Sequence, residues 1–474
     1  MILVREGESV DEETPRTSAE IIESASKAMN ANQLVALAAL GYLLALFPFN
    51  WCLHATVDQN GLLWPLNANL VIDIGEVVGY GAAIGWGLKS AQLPGVRIAA
   101  PFFSLTTLGS IGVASMSLAP VAPIAWIGDI ALGTGYAAIF SFWLALISHF
   151  SPKKMLIVLA VGYLANLIDY PIITDVSREV GCLYAVMSAV TSLLIYSLVR
   201  HELLNPGKIS FASKDATQPY RPPFRLMAFC ITIAFTYGFC TSSIDVGVSS
   251  IGLKVGFALP AIIILAGLLA SYRSFSLASV YWISCPFMIL GLLSTFFLDV
   301  NAMLVKILVT TALSGAHFVA YLVVRVRSQE LKRNPLFAYA LISLFMMILT
   351  VTGKTAEPSF AGSPVESVVI VALVLAVVLT YGLLISNTGD SRAVDVRDAL
   401  SPESVHDRAL KLAQTYGLSE RETSVYQLLL EDKSATDIAN DLFIAPSTVR
   451  AHVSRIYGKF GVHSRHELQQ KIGE

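Results

Sequence analysis

Charge is the scarce ingredient of this chain: of 474 residues only 14% are Asp, Glu, Lys or Arg, while 55% are hydrophobic. An ordinary soluble domain carries roughly a quarter of its residues as charges, so this composition places the chain in a bilayer. Cysteine is sparse as well. Cys52, Cys182, Cys230, Cys240 and Cys285 lie in or beside apolar runs, with no C-x-x-C and no Cys/His ligand spacing, and read as packed thiols. No nucleophile and base arrangement, phosphate-cradling glycine loop or metal spacing is present, so neither an enzyme nor a cofactor nor a metal is expected. The first residues also lack a short apolar run with a small-residue cleavage site. Residues 1–32 hold seven acids instead, Glu6, Glu8, Asp11, Glu12, Glu13, Glu20 and Glu23, which predicts a solvated acidic tail and no secretory signal.

What is abundant is apolar sequence in runs of about 20 residues, the length that crosses a bilayer. Twelve such runs are expected between residues 33 and 386, centred near Leu43, Gly79, Leu108, Leu132, Tyr163, Ala189, Ile233, Pro260, Phe287, Thr311, Phe345 and Ala376. The breaks between them sort by charge. One side collects fourteen Lys and Arg: Lys89, Arg97, Lys153, Lys154, Arg200, four between 208 and 225, Arg273 and four between 325 and 333. The other side has four, Arg178, Lys254, Lys306 and Lys354. Cytoplasmic loops hold such an excess, so both termini are expected in the cytoplasm of a bacterial inner-membrane protein. The longest break, 201–223, is basic and separates two groups of six runs, 33–200 and 224–386. A faint internal echo, LGTGYAAIFSF from Leu132 against LSGAHFVAYLV from Leu313, points the same way. This 6 + 6 layout resembles the major facilitator architecture. The loop GLKSAQLPGVR from Gly87 lacks the acidic residue and arginine pair typical of that family's signature.

Ionisable residues within membrane runs are costly and mark candidate sites. Asp73 and Glu76 lie three apart on one face of the second run, Asp129 lies in the fourth, Asp169 near the end of the fifth, and Lys306 and His317 in the tenth. A facilitator-like body would bring these helices to one central cavity. Four acids against one lysine favour a cationic or amine-bearing ligand. The small residues Gly75, Gly79, Gly81, Gly85 and Gly87 are expected to serve close helix packing.

After residue 386 the composition turns polar, and the pattern of the last sixty residues is that of short, separately capped helices. Ser419-x-x-Glu422, Ser434-x-x-Asp437 and Ser464-x-x-Glu467 read as capping boxes or their equivalents. A lead-in helix over 402–416 is expected to close at Gly417, followed by helices at 420–430, 435–442, 446–459 and 465–472. At 100° per residue the third divides into stripes. Val449, Val453, Ile456 and Phe460 point inward, Arg450, Ala451 and Ser454 outward, and Thr448, His452, Arg455 and Lys459 flank the outward stripe. From Phe443 to His466 there are four cations, Arg450, Arg455, Lys459 and Arg465, and no acid. Such a helix suits a DNA groove: Arg450 matches a guanine edge, Ala451 a thymine methyl, and the flanking stripe suits phosphates.

The residues L-S-x-R-E from Leu418, I-A-x-x-L from Ile438 and S-T-V-R-x-H-V-x-x-I-Y-x-K-F-x-V-x-S-R-x-E-L from Ser447 together resemble the LuxR/GerE-type helix-turn-helix. The likeness departs at Ser424, where an acid is usual, at Asp432, in place of a turn glycine, and at Ala445, in place of a polar N-cap. It implies that Arg450, Ala451 and Ser454 read bases, that Thr448 and Lys459 lie on the phosphate side, and that Ser464, Leu468 and Ile472 form a dimer contact. The whole then reads as an all-α chain with an acidic tail (1–32), a twelve-span body (33–386), a linker (387–410) and a DNA-binding domain (411–474). Its expected partners are promoter DNA, the bilayer, a small ligand and a second copy of itself. The alternatives are a facilitator-type transporter with an attached regulatory domain, and a membrane scaffold with a decayed headpiece.

Overall fold

The structure, a computed structural model, describes residues 31–57, 68–90, 92–115, 122–175, 177–203, 224–242, 246–270, 278–296, 301–330 and 334–385, then 412–413, 415–430, 434–442, 444–462 and 467–468. The acidic tail, most of the basic break after 200, and the polar linker lie outside these residues. Two compact units are present, one formed by 1–272 and 278–399, the other chiefly by 400–474.

Every regular element among the described residues is helical. In hydrocarbon a chain must satisfy its backbone N–H and C=O groups within itself, and an apolar run does so most simply as a helix. The first unit contains α1 (Ala31–Val57), α2 (Ala68–Lys89), α3 (Val96–Ser115), α4 (Ala122–Ile147), α5 (Pro152–Asp175) and α6 (Arg178–Leu203). It continues with α7 (Phe224–Thr241), α8 (Val246–Ala270), α9 (Ala278–Phe296), α10 (Ala302–Glu330), α11 (Leu336–Ala356) and α12 (Glu366–Ile385). Each of the twelve expected centres falls inside one of them. Ten are long and apolar enough to cross a membrane among the described residues; α9 supplies only the shorter apolar stretch Ser284–Thr295, and α5 is not among the ten. The fifth helix is also the one that carries Lys153, Lys154, Asp169 and Asp175.

The helix pairings repeat. In the first half α1 packs on α5 and α6, α2 on α4, and α3 on α4 and α6; in the second α7 packs on α11 and α12, α8 on α10, and α9 on α10 and α12. The second set is the first with six added to every helix number. The faint echo in the sequence marks this relation, since Leu132 opens its segment on α4 and Leu313 on α10, an offset of 313 − 132 = 181 residues. The offset extends to α2 and α8. Thr134 Oγ1 on α4 donates to Gly75 O on α2 at 3.1 Å, and Ser314 Oγ on α10 donates to Gly256 O on α8 at 3.1 Å. Gly75 and Gly256 are again 256 − 75 = 181 residues apart.

The halves meet where α2 runs beside α11 and α5 beside α8. Between described residues, the hydrogen bonds that join them gather at the end bearing the basic loops. There Arg325 Nε on α10 donates to Phe150 O after α4 at 2.9 Å, and Asn334 Nδ2 donates to Ser90 O at 3.0 Å and to Gln92 O at 3.1 Å. Farther in, Tyr163 OH meets His317 Nδ1 at 3.2 Å. The stripe Asp73, Glu76, Tyr80, Ala83 and Gly87 on α2 faces this seam, because a Cβ at Gly87 would meet Phe337 N of α11 at 2.6 Å.

Glycine does only part of what the sequence suggested. A Cβ at Gly75 would strike Ile130 O and one at Gly79 would strike Thr134 O, both backbone oxygens of α4, whereas Gly81 and Gly85 face nothing within 4 Å. Three of the five glycines in this helix therefore allow close approach, and two do not take part. Gly79→Ala is expected to destabilise the solubilised full chain by about 1–3 kcal/mol, the usual effect of forcing volume into a filled contact. Gly81→Ala is expected to be neutral or slightly stabilising. Thermal unfolding in detergent of the two variants against the parent checks both, and equal effects would count against the packing.

Candidate nucleic-acid interface

The second unit is built from α13 (Glu420–Leu430), α14 (Ala435–Leu442) and α15 (Pro446–Phe460). Their starts are chemical. At α13 Ser419 N–H donates to Glu422 Oε2 at 2.9 Å while Glu422 N–H donates to Ser419 Oγ at 3.3 Å, the reciprocal capping box. At α14 Asp437 takes the place of the glutamate: Ser434 N–H and Oγ donate to Asp437 Oδ2 at 3.1 and 2.6 Å, and Asp437 N–H donates to Ser434 Oγ at 3.2 Å. Ala445 offers α15 no side-chain cap, and Pro446 at the first helical position needs none for its missing N–H. Gly461, at φ 65°, closes α15 in the left-handed region. Gly417, at φ 64°, does the same for the lead-in turn, where Leu418 N–H reaches Ala413 O at 2.8 Å. The remainder of the lead-in helix lies outside the described residues.

A small core closes beneath these helices: Val425, Tyr426 and Leu429 from α13, Ile438 and Ala439 from α14, Val449, Ile456 and Phe460 from α15, with Ala413, Val462 and Leu468. Phe460 is its centre, with the Tyr416 and Tyr426 rings stacked on it at 4.4 and 5.2 Å. Burial pushes the Tyr426 phenol up to about 12. Leu468, expected at a dimer contact, is fully buried in this core, so its side chain is spent on the fold of one copy. Ser464 and Ile472, expected beside it, lie outside the described residues.

The outer stripe stands as expected: Arg450, Ala451 and Ser454 are exposed, as are Ser447, Thr448, Arg455 and Gly458, while His452 is half-buried. Arg450 Nε donates to Pro446 O at 3.4 Å, one turn back on its own helix. Val453 is only half-buried. With Arg450, Ser454, Tyr457, Gly458, Gly461 and Val462 it lines a shallow concavity along the helix. Lys459, expected on the phosphate side, is exposed and also has partners within the domain. Its ammonium donates to Gly417 O at 2.7 Å and to Glu422 Oε2 at 2.8 Å, tying the end of α15 to the start of α13. Glu422 was legible only as a cap. Its side chain is 6% exposed, and the Lys459 ammonium, followed by the Ser419 N–H, holds its carboxyl down at about 2.

In the first unit, Glu76, Asp129 and Lys306 are buried, at 7%, 1% and 8% exposure, and Asp73 and His317 are half-buried. The Asp169 side chain lies outside the described residues. Asp73 and Glu76 face α11 along the seam, and His317 meets Tyr163 across it. Asp129 sits inside the first half, both carboxylate oxygens enclosed with no hydrogen bond among the described residues, near enough to Cys52 of α1 for their charges to interact. Two lysines taken from the sequence as outer-loop cations lie within helices instead, Lys254 in α8 at 7% exposure and Lys354 in the last turn of α11. Both stand close to run boundaries, where hydropathy alone does not separate a loop from a helix end.

Residues 417–471 match the family described as bacterial regulatory proteins, luxR family. Over this part the chain is 46% identical across 48 residues to the spore germination protein GerE of Bacillus subtilis (strain 168), 10% of this chain and 65% of that protein. It is 45% identical across 51 residues to the Fimbriae Z protein of Escherichia coli (strain K12), 11% of this chain and 24% of that one. Against the probable transcriptional regulatory protein NarL of Mycobacterium tuberculosis the figures are 38% across 74 residues, 15% and 34%. The chain thus spans less than two thirds of each of these relatives. The body has its own likenesses. A bacterial homologue of the iron transporter ferroportin, in its outward-facing state, superposes with TM-score 0.53 at 14% identity, covering 74% of this chain and 98% of that one. The human organic anion transporter MFSD10 (TETRAN) gives 0.50 at 14% identity, with 75% and 100% covered. At that identity the likeness is one of fold: a helical membrane body folded like these transporters. The C-terminal domain is a luxR-family helix-turn-helix, a DNA-binding domain that supports transcriptional regulation as its work.

The Glu422 to Lys459 contact has a signed pH dependence. A carboxyl whose folded value lies below its unfolded value contributes its full stability above the ordinary value of 4.5 and loses it as pH falls toward about 2. Glu422→Gln in the fragment 400–474 is expected to cost about 1–2 kcal/mol at neutral pH, a cap and a partly exposed ion pair together. The gap between parent and variant should close as pH falls to about 2. Denaturant melts at a series of pH values measure it, and a gap independent of pH would refute the assignment.

Proposed function

We propose that this chain is a one-component regulator: the twelve-helix body senses a small molecule, and the headpiece binds promoter DNA as a homodimer. The observation that carries the DNA part is the exposed stripe of α15, where Arg450, Ala451 and Ser454 stand free of a closed core. In this reading α15 enters the major groove, Arg450 reads a guanine edge and Ala451 meets a thymine methyl. Thr448, His452 and Arg455 lie along the phosphates and set register. Lys459 acts indirectly, by fixing the end of the reading helix. One long base-reading side chain specifies too few base pairs to single out a site in a genome, so pairing of two headpieces supplies the specificity. A ligand favouring one arrangement of the two halves changes how often headpieces pair, provided it binds the two arrangements unequally. No catalytic step enters this reading. The cell's inner membrane, with both termini on the DNA side, is the location it requires.

A second reading, transport, draws support from the body's likeness to transporters over nearly their full length. Accumulation of a substrate in vesicles, lost in Glu76→Gln or Asp129→Asn, would favour it.

The DNA assignment is tested with the fragment 400–474 on the promoter beside its gene. Arg450→Ala is expected to weaken binding by about 1–3 kcal/mol and relax the sequence preference, and Arg455→Ala to weaken all sequences alike and reduce the salt slope by about one. Gel-shift titrations at several salt concentrations measure both. Binding indifferent to salt, or unchanged in both variants, would refute it.

A further inference from the structure

The seam between the halves carries opposite charges on opposite sides. On the first half, Asp73 and Glu76 occupy the stripe of α2 that faces α11. The residue 181 places on from Asp73, at the equivalent position of α8, is Lys254, so the two halves place opposite signs at matching positions. The second half adds Lys306 on α10 and Lys354 on α11. Lys306 Nζ lies 5.4 Å from the centre of the Tyr237 ring, and Lys354 sits where α11 crosses α7, its carbonyl accepting Ser242 Oγ at 2.8 Å. The helix that carries Lys354, α11, packs on both α2 and α7, and α7 packs on α10. Glu76, Lys354, Tyr237 and Lys306 therefore stand on a run of adjoining helices that crosses from the first half to the second.

Two of these groups are buried without an ion pair among the described residues. Glu76 is 7% exposed and Lys306 8%. Among the described residues, no cation lies within ion-pair distance of Glu76 and no carboxylate within that distance of Lys306. A buried charge is costly unless it is paired and hydrogen-bonded. Two opposite ones, each without an ion pair and carried by different halves, are together matched by a molecule bearing both charges. The walls suit the cationic end. Tyr80 follows Glu76 by one turn, and across the seam the Phe140 and Tyr321 rings lie 6.0 Å apart, aromatic faces of the kind that attract ammonium groups.

We propose that the seam binds a small dipolar molecule, its ammonium end at Glu76 and the first half, its carboxylate end at Lys306 and the second half. This rests on the sensing reading above and replaces the purely cationic ligand that the charge count in the sequence favoured. A ligand spanning both halves is also one whose affinity must depend on how the halves are arranged.

The test uses the full chain in lipid nanodiscs and follows thermal stability against a ladder of glycine, γ-aminobutyrate and 6-aminohexanoate, each beside the alkylamine and the carboxylate of matching length. At least one amino acid of the ladder is expected to protect at about tenfold lower concentration than either matched single-charge compound. In Glu76→Gln its advantage over the carboxylate should vanish, in Lys306→Met its advantage over the amine, and Lys306→Arg should retain both, which separates loss of the site from loss of the fold. Equal protection by single-charge compounds, an unchanged ranking in both variants, or no protection by any member of the ladder overturns the proposal. Promoter occupancy by the full chain, measured with the same compounds, keeps the two readings apart. Protection by a dipole without change in occupancy defeats sensing but leaves the ligand class standing, whereas a change in occupancy driven by a single-charge compound does the reverse.

Discussion

In hydrocarbon there is no water to receive a polar group, and the architecture of the body follows from that shortage. Backbone groups are satisfied by helix formation, and many hydroxyls by bonding to carbonyls of their own or the adjoining helix, as Thr134 does to Gly75 O and Ser314 to Gly256 O. Such contacts require helices to approach closely, so small residues stand opposite backbone at Gly75, Gly79 and Gly133. What this arrangement leaves over is a handful of charged side chains that no helix pairing absorbs. They are concentrated along the seam between the halves and at Asp129, where the fold has not been optimised for stability alone.

The headpiece meets the opposite circumstance, a core too small to hold itself by apolar burial alone. It compensates by joining its ends. One carboxylate, Glu422, caps α13, and through Lys459 it also fastens the far end of α15. The exposed face of α15 can then consist of small and cationic residues that contribute little to folding. Stability and recognition are carried by different sides of one helix.

The legible parts were those that depend on neighbours in sequence. The helix starts at Glu420, Ala435 and Pro446 follow from Ser419, Ser434 and Pro446 themselves, and the exposed and buried stripes of α15 follow from its period. The twelve helices follow from runs of apolar residues. Groups whose meaning depends on distant neighbours were not legible. Lys459 has the spacing of a phosphate contact, and only the approach of α13, 37 residues earlier, gives it Glu422 as a partner. Leu468 has the position of a dimer contact but the core takes it. Lys254 and Lys354 fell in the wrong class because hydropathy discounts a lysine wherever it stands. The repeat between Leu132 and Leu313 was faint in letters because what the two halves share is a pattern of pairings.

The covalent continuity of α12 with the headpiece has a consequence for how a site would be found. Twenty-six residues, 386–411, join the last helix of the body to the first described residue of the headpiece. Even fully extended they span at most about 90 Å. In the proposed regulatory role, the headpiece would reach DNA only close to the membrane. The chromosome would then have to bring the operator to it, so the genes it governed would be those whose loci visit the membrane, and its reach along the genome would be decided by the folding of the DNA.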